Sequence, residues 1–188
     1  MTQIPDSTRG KLLISNSSVI QDFFHKTVIL MVDHDDDGAF GLVLNKPTDQ
    51  TMESLIKNLP ESAYSNKQVF SGGPVDNMFV SIIHNGKQTE DPGVEIVPGI
   101  YMARSFDTMI EVLSSDQIQF RVLQGYAGWS SGQLESEFER LSWVVSDQVD
   151  ESIVFREDES EVVWREALRN KGGIYKYFVD HTKDPSLN

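Results

Sequence analysis

Gly128-Trp129-Ser130-Ser131-Gly132 has the form G-x-S-x-G. In that motif a serine on a sharp strand-to-helix turn acts as a nucleophile. It needs a downstream acid and then a histidine, and the single histidine after Ser130 is His181, in the polar end of the chain. The same glycines and serines suit a tight turn with serines free to cap a helix. Asp33-His34-Asp35-Asp36-Asp37-Gly38 repeats the first half of an EF-hand loop. Its twelfth position, which should be a bidentate Glu, is Leu44, and its flanks read as strands, so an acidic hairpin turn is expected. Ser71-Gly72-Gly73-Pro74 offers the glycines of an anion-binding nest, yet Pro74 lacks a donor and no P-loop lysine follows. His25, His34, His84 and His181 show no i, i+4 spacing and are expected as surface or hydrogen-bonded core residues. No catalytic residue, metal ligand or cofactor is assigned.

The elements that would position these residues follow from hydrophobic patterning. Leu12-Leu13-Ile14 reads as a strand, and Thr27 to Val32 as a strand buried on both faces. Asp37-Gly38 turns that strand into a hairpin returning through Phe40 to Leu44, where Lys46-Pro47 ends it. Thr48 or Thr51 caps a short helix over Met52, Leu55, Ile56 and Leu59. Gln68 to Phe70 and Met78 to His84 read as strands, the first running into the Ser71–Pro74 turn. Val94 to Met102 reads as two extended pieces around Pro98-Gly99, and Ser105 or Asp107 caps a helix through Leu113. The run from Phe120 begins as a strand, breaks into a turn at Gly125, Gly128 and Gly132, and restarts as a helix at Gln133. That helix reaches about Leu141, with Leu134, Phe138 and Leu141 packing inward. Trp143 to Val145 is a strand, and a last helix runs from about Ser160 to the stop at Gly172-Gly173. Tyr175 to Val179 is apolar, and residues 1–9 and 181–188 read as flexible tails.

The 188 residues suit one domain with a sizeable core. A formal net charge of −13, with scattered Lys and Arg, disfavours direct nucleic-acid binding. The absence of cysteine removes disulfides and thiolate chemistry. No stretch has the length of a signal-peptide core or a membrane span, so a cytoplasmic protein without membrane contact is expected. Strands without a steady βαβ rhythm predict a single mixed α+β domain with hairpins.

In order along the chain, the blocks resemble the YqgE/AlgH family of bacterial proteins. They are Gly10 to Ile14; His34 with Gly38 to Pro47; Gly72-Gly73-Pro74-Val75; and Gly125 to Glu135, followed by Trp143, Phe155 and Trp164. The loops at Ser15-Asn16-Ser17 and Asp22-Phe23-Phe24 lack the prolines usual in the family. The resemblance implies an α+β domain whose largely antiparallel sheet is bifurcated or partly barrel-like and surrounded by helices. It leaves the places of Ser130 and Ser131 free to vary, which weakens the nucleophile reading. It brings a regulator label for some members, to which the acidic sequence without a helix-turn-helix gives no physical support. The function expected is a non-enzymatic binding or regulatory protein acting through an unknown protein partner or small ligand. Candidate ligand-binding residues are Asn45, Gly72, Gly73, Pro74, Gly125, Tyr126, Gly128, Trp129 and Gln133, with Tyr126 and Trp129 as an aromatic wall. The alternatives are a hydrolase using Ser130, or His34 with Asp33 or Asp35, and an indirect transcriptional regulator.

Overall fold

In the computed structural model, which describes residues 5–55 and 66–181, the long strand β9 (Phe120–Ser130) meets three others and organises the sheet. β6 (Val75–His84) runs antiparallel to its first half, from His84↔Phe120 to Val80↔Gln124. β5 (Gln68–Ser71) pairs in parallel with the same stretch, through Val69↔Val122 to Ser71↔Gln124, and so takes the opposite edge. Past Gly125 that edge passes to β3 (Gly38–Val43), antiparallel from Gly41↔Ala127 to Gly38↔Ser130. Beyond β3 lie β2 (Val28–Asp35), β1 (Leu12–Ser15) and β10 (Trp143–Ser146), all antiparallel. Beyond β6 lie β8 (Ile100–Met102) and β7 (Val94–Val97), while β4 (Pro47–Thr51) pairs with β5. The sheet is thus bifurcated and largely antiparallel, and it is not closed into a barrel.

The change of partners on β9 needs two backbones in contact. A Cβ on Gly73 would lie 2.1 Å from the carbonyl carbon of Tyr126, and one on Gly72 2.3 Å from the Gly125 oxygen. Gly125 itself has φ +72°, a conformation that glycine adopts without steric cost. The Gly72 N–H donates to Gln124 O at 2.7 Å, and the Val43 N–H to Gly72 O at 2.8 Å, joining β3 to β9 through the turn. Gly125 and Gly128, expected to break the strand, therefore lie inside it, and the turn falls at Ser131-Gly132.

Side chains alternate across the sheet, so the continuous apolar runs of β1 and β2 feed two cores. One face carries Leu12, Ile14, Val28 and Leu30 under α5 (Ser160–Lys171) and α6 (Gly173–His181). The other carries Leu13, Ile29 and Met31 with Trp129 and Trp143 under α3 (Gln133–Glu139). A third core sits between the first half of β9 and α2 (Phe106–Leu113), whose Ser105 hydroxyl accepts the Thr108 N–H at 3.1 Å. Two short helices, α1 (Met52–Leu55) and α4 (Glu151–Val154), complete the elements among the described residues. Arg121 of β9 is only 2% exposed, with its guanidinium 4.0 Å from the Phe70 ring. It donates to the backbone oxygens of Leu44 and Arg156. Burial pulls its pKa down to about 10, so it stays charged at neutral pH.

Several local expectations shift. Pro47 opens β4 rather than only ending β3, because its missing N–H is harmless on an edge strand. Thr48 lies in that strand, its hydroxyl donating to Val69 O at 2.8 Å, and caps nothing. Ser54 Oγ accepts the Thr51 N–H at 3.1 Å; Ile56 and Leu59 lie outside the described residues. Leu141 does not pack inward: at φ +58° it has left the helix and is 59% exposed. Thr8 is fully buried, so the polar start is anchored from there, and α6 includes Tyr175 to Val179.

Gly73→Ala is expected to cost at least about 3 kcal/mol, since backbone rather than a movable side chain fills the space. Gly132→Ala, at φ +72° with nothing within 4 Å, costs about 1 kcal/mol. Urea unfolding of the two variants checks the contrast.

Candidate functional site

α3 begins where β9 ends, so its first turns stand beside Trp129. Gln133 straps the junction: its Oε1 accepts the Ser130 N–H at 3.1 Å, and its Nε2 donates to Glu137 Oε1 at 3.1 Å. The other oxygen of Glu137 accepts two indole N–H groups, from Trp129 at 2.9 Å and Trp143 at 2.7 Å. One carboxylate therefore fixes two tryptophans from different strands, with ring centroids 6.1 Å apart at 81°. Phe24, from the loop between β1 and β2, stacks on Trp129 at 6.4 Å and meets Trp143 edge-on at 5.8 Å. Between that loop and α3 lies a cleft of about 700 Å³, with Asp22 and Phe24 on one wall and Trp129, Glu137, Arg140 and Trp143 on the other.

Three of the residues expected to bind, Gly128, Trp129 and Gln133, line this cleft. Tyr126 does not. Three residues from Trp129 on a strand, it faces the opposite side, packing on Phe40 at 5.0 Å and Phe79 at 5.6 Å, so the two do not form one wall. Gly72, Gly73 and Gly125 meet backbone to backbone, and Tyr126 fills the space over Gly73 where an anion would sit. Pro74 is exposed beside them. Asn45 is fully engaged in the core: its Oδ1 accepts the Val28 N–H, and its Nδ2 donates to Lys26 O and Ser160 O. Phe24, Glu137 and Trp143 were missed as site residues. Their signals were the i, i+4 pair Gln133 and Glu137 and an aromatic pair, Phe23-Phe24, in a polar loop.

The AlgH-like (DUF179) family profile matches residues 12–176. The chain belongs to the AlgH-like family. It is 33% identical over 182 residues to a UPF0301 protein of Chlorobaculum tepidum, covering 95% of both chains. It is also 33% identical over 186 residues to a UPF0301 protein of Cytophaga hutchinsonii, covering 96% of this chain and 99% of the other. The solution structure of the AlgH protein from Pseudomonas aeruginosa shares the fold, with TM-score 0.71 at 22% identity over 98% of each chain. So does a protein from Corynebacterium diphtheriae, with TM-score 0.75 at 21% identity over 95% of this chain and 94% of that one.

The histidines of this AlgH-like chain stay apart. His34 is buried; its Nδ1 accepts the Thr8 N–H at 3.0 Å, which leaves the proton on Nε2 to meet Glu135 Oε1 at 2.8 Å. Its carboxylate partner is thus Glu135 on α3, not Asp33 or Asp35; Asp33 instead lies 3.7 Å from Arg9. Thr8 Oγ1 also lies 3.0 Å from Nδ1, completing a hydroxyl, imidazole and carboxylate row, but Thr8 is fully buried and out of reach of a substrate. Strand pairing puts His34 opposite Ala39 and Ala39 opposite Trp129 on one face, and the pleat turns Ser130 to the other. The Asp33–Gly38 segment is the tip of the β2–β3 hairpin: Asp33 to Asp35 pair with Phe40 to Gly38, and Asp36-Asp37 make the turn. His84 is a satisfied core residue: Nδ1 accepts the Gly86 N–H at 3.1 Å, and Nε2 meets Pro92 O at 3.0 Å. Among the described residues no three His, Asp or Glu side chains are grouped to hold a metal, and no helix is long and apolar enough to cross a membrane.

Glu137→Ala leaves two buried indole N–H groups unpaired, and a loss of about 2–4 kcal/mol in urea unfolding is expected. Burial lowers the His84 pKa below its ordinary 6.5, so the unfolded chain binds that proton first as pH falls. The contribution of His84 is therefore intact above about pH 6.5 and declines below it. Unfolding free energy measured from pH 7.5 to 5.5 is expected to fall more steeply in the wild type than in His84→Gln.

Proposed function

We propose that this AlgH-like protein is a non-enzymatic binding protein. Its ligand, a small molecule or the side chain of a protein partner, enters the cleft between the Phe24 loop and the β9–α3 junction. The supporting observation is the Glu137 carboxylate holding Trp129 and Trp143 in fixed orientation at the wall of a cleft of about 700 Å³. Such a volume is in the range of small-molecule sites, which combine apolar walls with few, well-placed polar groups. Fixing the rings before the ligand arrives lowers the ordering cost of binding. Catalysis finds less support: the His34 row is closed off by Thr8, and Ser130 faces away from it. A regulatory role would run through a partner, since a net charge of −13 opposes direct contact with nucleic acid. A cysteine-free chain suits the cytoplasm.

Gln21 lines the cleft on an exposed part of the loop, so Gln21→Trp fills it without touching the core. Affinity capture from cells, followed by mass spectrometry of co-purifying proteins and small molecules, is expected to recover species with the wild type that Gln21→Trp loses at an unchanged unfolding midpoint. Identical recoveries would remove the cleft from the function.

A further inference from the structure

The charges around the cleft distinguish one class of ligand from another. On the loop wall Asp22 is exposed, and one of its oxygens accepts the Phe24 N–H at 2.9 Å. Its second oxygen has no bond among the described residues. On the helix wall Glu137 accepts three N–H donors, which orient its carboxylate but do not neutralise it. Oε1 takes one of those bonds and keeps a lone pair free. The opposing charge is Arg140 at the end of α3, exposed and in no ion pair among the described residues. Two carboxylates against one guanidinium leave the cleft net negative, on a chain whose formal charge is −13. The rest of the lining is mixed: Val19 and Ile20 are aliphatic, Gln21, Gln133 and Ser142 are uncharged polar, and Phe24 stands with the edges of Trp129 and Trp143, each 7% exposed.

Resting on the reading of the cleft as a binding site, we propose that its ligand is an organic cation, an ammonium or guanidinium group carried on an apolar body. Aromatic rings attract cations through their quadrupole, and carboxylates at the edge of a partly desolvated cleft add a direct charge interaction. An anionic ligand would gain Arg140 and lose against both carboxylates and the field of the whole chain. The same chemistry is offered by a free amine and by a lysine or arginine side chain of a partner. In either case Arg140 opposes binding and makes its removal diagnostic.

The test uses the indole N–H signals in a proton–nitrogen correlation spectrum of the full chain. Trp129 and Trp143 report on the cleft through their bonds to Glu137, while Trp164, bonded to Ser15 O at 2.9 Å in the opposite core, is the internal control. Phenethylamine is expected to shift the first two signals saturably and leave the third, whereas phenylpropionate, its anionic counterpart, shifts none. Asp22→Asn is expected to weaken the amine about 2- to 5-fold, and Arg140→Gln to tighten it about 2- to 5-fold, both within the range of single exposed charge contacts. Both residues are exposed, so neither substitution opens the core. Acetyl-Gly-Lys-Gly-amide binding more tightly than phenethylamine would assign a protein side chain as the source, and the reverse a free amine. A response to phenylpropionate equal to that of phenethylamine, or weaker binding in Arg140→Gln, overturns the cation while leaving the cleft a site. Silence toward every probe overturns the cation, and with unchanged captures by Gln21→Trp it overturns the binding site as well.

Discussion

The contact of the Gly72-Gly73 backbone with that of Gly125-Tyr126 is the constraint on which the rest of the molecule depends. Residues 122–124 of β9 have neighbours on both edges, and β3 can follow β5 along one of them because the turn at Gly72 lies flat against the strand. Any side chain there would hold the two halves of the sheet apart by the width of a Cβ. Arg121 reinforces the same joint from one face, reaching the Leu44 and Arg156 oxygens with a charged group that burial does not neutralise. Its stacking on Phe70 accommodates the charge within an otherwise apolar core.

From that joint onward β9 is paired with β3 along one edge as far as Ser130, its other edge is unpaired past Tyr126 among the described residues, and α3 starts three residues later at Gln133. The second half of the molecule is therefore a consequence of the first. With Trp129 placed by β9 and Trp143 by β10, a single acid one helical turn beyond Gln133 can reach both indoles. Buried indole N–H groups require an acceptor, and a carboxylate with two accessible oxygens supplies enough lone pairs for both and for Gln133. The result is an aromatic wall whose orientation is set by hydrogen bonds rather than by packing alone. Its polar atoms are largely committed to the protein itself, and the charges left over, on Asp22 and Arg140, face the cleft from its two sides.

Much of the architecture was legible in the sequence, and the exceptions have physical causes. Continuous apolar runs such as Val28 to Val32 announce strands covered on both faces, and they are. The break expected at Gly125 was misplaced because a local pattern does not distinguish a glycine that ends a strand from one that lets another backbone approach it. Gly128 and Trp129 were read as site residues from their turn-like setting, and both border the cleft. Asn45, read the same way, ties Val28 to Lys26 and Ser160, an assignment that needs the fold. Glu137 and Phe24 carried only local signals, a helical spacing to Gln133 and a neighbouring Phe23; their decisive partners lie on other elements, and neither spacing nor composition connects residue 24 with residue 143.

The row formed by Thr8, His34 and Glu135 shows why residue types alone are a poor guide to chemistry in this chain. A hydroxyl, an imidazole and a carboxylate in line would be sufficient for acyl transfer if the hydroxyl met solvent and the ring's accepting nitrogen were free for it. Here that nitrogen also accepts a backbone N–H, and the residue that carries the hydroxyl is fully buried. What the row does instead is mechanical: it joins the start of the chain, the β2–β3 hairpin and α3 at one point. α3 also carries Glu137, so a row that resembles a catalytic triad instead helps hold the helix against the tryptophan pair. The polar groups of this face thus fix a surface: they hold α3 and the two tryptophans in place, and the exposed charges of Asp22 and Arg140 are left beside them.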